Sequence, residues 1–288
     1  MAISHRLHSS MYERPDEGAD QKPKRIVFLS VEGNTTEKDY FRFVNKYRDQ
    51  LSIQSVIHIE ILSRWSDDTL SNPDQVLGLL HELKKLQDNG IHPVELCDVL
   101  GSEYTMDDIT QYCEGRLSKK KTHQFEQDLK SARIDYSYQK FLSEYKGTDN
   151  DDVFAVIVDR DTVSHTREQL RKLYKTCEEK GYDCFVSNPC FEFWLLLHVC
   201  DVQQEMATCL DELLENKKIS VNHTFVSSEL TKRACHGKNI RETKFVDTYL
   251  NNIDVAIDRS KDFCQDKYGL LDKLGTNIPE LFAILRGR

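Results

Sequence analysis

The sequence lacks the marks of several large protein classes. No apolar run approaches the roughly 20 residues of a bilayer-spanning helix, and Phe193–Leu197 in FWLLLH is far too short. The opening MAISHRLHSS has no apolar stretch of the kind that forms a secretory leader. There are nine cysteines (97, 113, 177, 184, 190, 200, 209, 235 and 264), an odd number, scattered, with no C-x-x-C pair. That pattern argues for reduced thiols in a cytoplasmic protein and against a disulfide framework or a zinc ribbon. Positive charge is also short: 39 Lys and Arg stand against 48 Asp and Glu, a net charge of −9. A surface basic all over for gripping nucleic acid is excluded, although local basic patches are not. No Walker A loop occurs, so any ATP hydrolysis must come from a partner. What remains is a 288-residue chain, 39% hydrophobic and 30% charged, the composition of a soluble globular protein.

The pattern along the chain alternates strand and helix. Residues 1–24 carry charges, Pro15, Gly18 and Pro23 without periodicity and read as a flexible tail. Ile26–Val31 is an apolar run rich in β-branched residues, with Ser30 its one polar member, closed by Glu32-Gly33, which predicts a strand buried on both faces. Thr36 with Asp39 predicts a capping box for a helix whose inner face is Tyr40, Val44 and Tyr47. Val56–Leu62 alternates as a half-covered strand, and Val76, Leu79, Leu80, Leu83 and Leu86 follow at helical spacing. Val153–Val158 is a second buried strand, followed by a helix with Leu170, Leu173, Tyr174 and Cys177 on one face. Tyr182–Val186 is a short strand leading through Asn188-Pro189 into the helix FEFWLLLH, with Asn188 as its N-cap and Pro189 in its first turn. Repeated strand–helix units predict an α/β fold, a parallel sheet of about four strands flanked by helices. Residues 25–200 form this core, interrupted at about 90–150 by a helical insertion. Residues 201–288 read as a C-terminal helical region, with Val246, Tyr249, Leu250, Ile253 and Ile257 on one face.

The residues fit for chemistry gather at one edge. Ligands of open parallel sheets bind beyond the carboxyl ends of the strands. Three of the four expected strands end there in polar residues: Glu32 to Glu37, Asp159-Arg160-Asp161, and Ser187 to Glu192. Asp159 and Asp161 are two apart, so an extended backbone would set them on one side, roughly 6–7 Å apart at Cα. Each signal alone has a plain structural reading. A D-x-D can be a turn, Glu-Gly likewise, and Glu37 and Glu192 lie in first helical turns where the dipole favours a carboxylate. It is their coincidence at one edge that points to a hard, oxygen-seeking cation, Mg²⁺ or Mn²⁺. His198, on an apolar helix, reads as a core histidine, and Cys190, with no histidine placed near it, as an inert thiol.

VEGNTTEKDYF at 31–41, DRD at 159–161 and SNPCFEFWLLLH at 187–198 together resemble the RloB-like family. Its members are Toprim-fold proteins of prokaryotic abortive-infection defence, often encoded beside an ATPase. The resemblance covers roughly 24–62 and 150–200, and more weakly the C-terminal helices; the 90–150 stretch is longer than the family usually has. It implies a Toprim metal site, with Glu32 as acid/base group or ligand and Asp159 and Asp161 as Mg²⁺ ligands. Glu37 matches the second glutamate of the first block and is a candidate ligand for a second ion, and Glu192 is the best remaining candidate. Toprim enzymes act on phosphodiesters, and with no topoisomerase tyrosine domain or primase zinc module, hydrolysis is the simplest chemistry left.

Two basic stretches bear on substrate. Arg116, Lys119, Lys120, Lys121, Lys130 and Arg133 face only Glu126 and Asp128 within 116–133. Lys232, Arg233, Lys238, Arg241 and Lys244 face only Glu229 and Glu242 within 229–244. A solvated helix face explains either stretch; contact with phosphate backbones explains their concentration in an acidic chain. The expectation is a divalent-metal-dependent nuclease acting on DNA or RNA in antiviral defence, with an ATPase partner. Its chief rival is a non-catalytic sensor or regulatory subunit that binds metal and nucleotide, and a third reading is an enzyme acting on small nucleotides. A homo-oligomer is compatible with each.

Overall fold

The computed structural model describes residues 25–33, 35–54, 57–62, 77–78, 80–81, 84, 104–113, 116–131, 152–161, 165–221, 223–234 and 240–287. The expected tail and most of the 90–150 insertion, along with Val76, Leu79, Leu83 and Leu86, lie outside them. Strands β1 (Arg25–Val31), β2 (Ile57–Leu62), β3 (Val153–Asp159) and β4 (Asp183–Asn188) pair in parallel in the order β2-β1-β3-β4. The two-residue strand β5 (Gly275–Thr276) adds antiparallel to β4. Among the described residues, no helix is long and apolar enough to cross a membrane.

The apolar runs of β1, broken only by buried Ser30, and of β3 follow from their position in the middle of the sheet. Val27, Leu29, Val31, Ala155 and Ile157 face one cluster of buried side chains, while Ile26, Phe28, Phe154, Val156 and Val158 face another. Successive side chains of a strand point to opposite faces, so a strand covered on both is apolar at nearly every position. Helix α1 (Thr36–Lys46) lays Tyr40, Phe41 and Val44 on the first face. Helix α4 (Arg167–Lys180), which follows the insertion helices α2 (Met106–Cys113) and α3 (Lys119–Ser131), lays Leu170, Leu173, Tyr174 and Cys177 on the second. Leu77 and Leu80, both helical, join that second cluster.

Helix α5 (Phe191–Val199) is apolar all round because it is covered all round. It packs between the sheet and helices α6 (Phe225–Ala234) and α7 (Ile253–Ser260), and Phe193 to Leu197 are fully buried. The C-terminal region therefore completes the same core, and it supplies β5 as well, a strand within a stretch that reads as helix. Gly275 permits this, since a Cβ there would stand 2.0 Å from the carbonyl oxygen of Cys264.

Three local expectations change. Helix α1 is capped at Thr35 with no side-chain cap bond, so Thr36 and Asp39 form no capping box. Helix α5 begins after Cys190, which makes no side-chain cap bond either, and Pro189 lies before it behind a cis peptide bond. The side chain of Asn188 is turned elsewhere, its Nδ2 donating to the Leu270 carbonyl at 2.8 Å.

Asn277, just before α8 (Ile278–Leu285), closes the free edge of β4. Its Oδ1 accepts from the Val186 N–H at 2.6 Å, its own N–H donates to the Val186 carbonyl at 3.2 Å, and its Nδ2 donates to the Cys184 carbonyl at 3.1 Å. Asn277→Ala should strand buried backbone groups and lower stability by about 1–3 kcal/mol, read as a shifted denaturant midpoint.

Candidate active site at the carboxyl edge of the sheet

The strand order creates a switch point. From β1 the chain steps to β2 on one side, then returns to β3 and β4 on the other, so the crevice opens between β1 and β3. Their register aligns Val31 with Ile157, so Glu32 ends level with Val158, one residue short of Asp159 at the neighbouring strand end. The Glu32 N–H donates to the Ile157 carbonyl at 3.1 Å, and Glu32 Oε2 accepts the Asp159 N–H at 3.1 Å. Asp159 Oδ1 in turn accepts the Phe191 N–H at 2.8 Å. The carboxylate at the end of β3 thus caps α5 in place of the missing side-chain cap.

Glu37 and Glu192 complete the group. Glu37 is buried in the first turn of α1, with its carboxylate folded back over Gly33: a Cβ on Gly33 would fall 1.9 Å from Glu37 Oε2. Glu192 is half-buried in the first turn of α5. Asp159 remains partly accessible at the strand end, yet desolvation, followed by the charges of Glu37, Glu32 and Glu192, pushes its pKa well above the usual carboxylate range. Asp161 lies beyond the strand, half-buried, and its charge acts on Arg160 and His165. The four-membered group is therefore Glu32, Glu37, Asp159 and Glu192, with Asp161 on the loop that follows.

Two further residues after β3 are missed as site residues, Arg160 inside the DRD block and His165 beyond it, for neither falls on a strand or helix period. The Arg160 guanidinium is buried and donates from Nε to the Leu271 carbonyl at 2.9 Å and from Nη1 to the His165 carbonyl at 2.8 Å. His165 is 2% exposed, with Nε2 3.4 Å from Glu32 Oε1. That contact is too oblique for a hydrogen bond, and among the described residues neither ring nitrogen has a hydrogen-bond partner. Burial lowers the His165 pKa and keeps the ring neutral.

His198 is a core histidine. Its Nδ1 lies 3.0 Å from the Trp194 carbonyl, which can only accept, so Nδ1 carries the proton and Nε2 accepts from Tyr40 Oη at 3.1 Å. Burial holds its pKa down to about 3. Cys190 is buried beside Glu192 and Asp159, and desolvation and their charges push its thiol pKa well up, so it is no nucleophile.

The basic residues divide by their neighbours. Lys119, Lys120 and Lys121 form the first turn of α3, where the helix dipole opposes positive charge. Lys121 is paired with Asp108 at 2.7 Å, whereas Lys119 and Lys120 are exposed. Lys232 and Arg233 share Glu229 at 2.6 and 2.5 Å. Lys238 lies outside the described residues. Arg241 is exposed and Lys244 half-buried, and the segment between them is held to the end of α1 through Glu242, which accepts from Tyr47 Oη at 2.6 Å and pairs with Lys46 at 3.0 Å. That end lies roughly 14 Å along the helix from Glu37.

The donor set suits a hard dication by its chemistry, being carboxylate oxygens crowded enough to disfavour ionisation of one member. Among the described residues, no three His, Cys, Asp or Glu side chains already converge on one point at metal-ligand spacing. The family model for RloB-like proteins matches residues 27–285, from β1 to the last turn of α8. The chain belongs to the RloB-like family. All the acidic residues named above, and His165, fall inside the matched span of this RloB-like protein. No curated protein and no solved structure gives a match.

The raised pKa of Asp159 sets a signed expectation. Repulsion is present above that pKa and relieved as pH falls through it. In chelator-treated protein, Asp159→Asn, which keeps the acceptor for the Phe191 N–H, should hold or raise the thermal midpoint at neutral pH, and the difference should close as pH is lowered. Asp159→Ala loses the cap and should destabilise by about 1 kcal/mol. Melting curves across pH check both.

Proposed function

We propose that this RloB-like protein is a divalent-metal-dependent nuclease with a Toprim-type core, hydrolysing phosphodiester bonds of DNA or RNA in prokaryotic antiviral defence beside an ATPase partner. One observation carries the reading: Glu32, Glu37, Asp159 and Glu192 meet at the switch point of the sheet and press on the ionisation of Asp159. Glu32, Asp159 and Glu37 would hold Mg²⁺ or Mn²⁺, with Glu192 and Asp161 at its margin. The ion, when bound, supplies an activated water and stabilises the leaving 3′-oxygen. Glu32 would act as the general base or as a ligand of the ion. Asp159 keeps its Oδ1 bond to α5 and so fixes the helix that carries Glu192. Lys119, Lys120, Arg241 and Lys244 contact phosphates without reading sequence, whereas Lys121, Lys232 and Arg233 are already paired within the chain.

The rival reading, a non-catalytic regulatory subunit that binds metal and nucleotide, draws on the lack of a closed ligand set among the described residues. Incubation with plasmid, single-stranded DNA and tRNA, in Mg²⁺, Mn²⁺ or EDTA, separates the two. Cleavage that needs the metal, and is lost in folded Glu32→Gln and Asp159→Asn proteins, is the expected result. Metal binding without cleavage of any of the three would favour the subunit.

Reversing the charge of Lys119 and Lys120, or of Arg241 and Lys244, should weaken nucleic-acid binding. The salt slope on duplex DNA should drop by about 0.9 for each phosphate no longer neutralised. Reversal of Lys232 should leave it nearly unchanged. An unaltered slope in both double variants assigns those residues to solvated surface.

A further inference from the structure

Two buried histidines of this chain are treated in opposite ways. His198 has both ring nitrogens bonded, as a structural histidine should. His165, equally buried, has neither nitrogen hydrogen-bonded among the described residues, although its backbone is fixed on both sides. Its N–H donates to the Asp161 carbonyl at 2.9 Å, and its carbonyl accepts from Arg160, itself anchored to Leu271. The backbone is thus fixed while the ring, among the described residues, touches the carboxylate cluster at Glu32 without a hydrogen bond.

We infer that His165 is a nitrogen ligand of the cation held at the carboxylate edge, and that it tilts the site toward Mn²⁺ and other imidazole-accepting ions over Mg²⁺. The inference rests on the metal-dependent reading above and extends it to the kind of ion. Adjacent ligands of an octahedral ion with bonds near 2.1 Å stand roughly 3 Å apart. His165 Nε2 and Glu32 Oε1 are 3.4 Å apart, close to that spacing. Two ligands of one ion aim at the ion and not at each other, which accounts for a contact this near that forms no hydrogen bond. Imidazole suits Zn²⁺ and Fe²⁺ best; Mn²⁺, at home with carboxylates, still takes a nitrogen ligand more readily than Mg²⁺, which dehydrates reluctantly and keeps to oxygen. Arg160, bonded to the His165 carbonyl, is the positioning residue that fixes the His165 backbone.

The test is spectroscopic and needs no turnover. The full chain, stripped with chelator, is titrated with MnCl₂, and bound Mn²⁺ is read by electron spin-echo modulation. We expect a ¹⁴N coupling from one imidazole, lost in His165→Phe and in His165→Asn. The Mn²⁺-over-Mg²⁺ preference should fall about tenfold in each variant. Bound Mn²⁺ without nitrogen coupling in the wild-type chain overturns the assignment even if a variant fails to fold, as does coupling that survives either substitution. In those cases Mn²⁺ binding that Asp159→Asn abolishes leaves the nuclease reading standing. A wild-type chain that binds neither Mn²⁺ nor Mg²⁺ overturns both.

Discussion

The structure turns on the parallel pairing of β1 with β3. That register sets Glu32 and Asp159 at neighbouring strand ends, where each carboxylate meets backbone N–H groups and the other's charge. Buried like charges are costly unless something compensates them. Here the compensation is partial: the Asp159 and Phe191 amides each donate one bond, and the pKa of Asp159 still rises. A site that folding leaves electrostatically dissatisfied is one that a cation would complete.

The rest of the fold serves that edge. Helix α1 brings Glu37 and α5 brings Glu192, both in first turns, so each carboxylate also lies at the positive end of a helix. The C-terminal helices bury the far side of α5, and Asn277 seals β4, so the strand ends are held by a core that spans the chain from β1 to α8. Within this frame the DRD loop is tied down by Arg160, whose guanidinium donates to backbone carbonyls 111 and 5 residues away in sequence.

Much of this is legible along the chain. Two-sided burial writes itself into Ile26–Val31 and Val153–Val158 as apolar runs interrupted only at Ser30, and one-sided burial into the helical spacing of Leu170, Leu173 and Cys177. The three polar blocks after the strands mark the edge, and their wording marks the family. The caps are not legible in the same way, because a cap is a hydrogen bond and any nearby acceptor can supply it: Asp159, distant in sequence, does for α5 what the position of Asn188 predicts for that residue. Strand β5 escapes a reading of the sequence because two residues carry no period.

The sequence by itself determined the α/β class, the core strands, the edge that carries the acids and membership of the RloB-like family. Those properties are local or follow from periodicity, and each residue's own neighbours encode them. Only the tertiary structure decided that Glu32, Glu37, Asp159 and Glu192 act on one another while Asp161 sits on the following loop. Only it decided that His165 lies against Glu32 and that Lys121, Lys232 and Arg233 are paired within the chain. These are through-space relations set by strand order and register, and electrostatic energy depends on distance in space, not on distance along the chain.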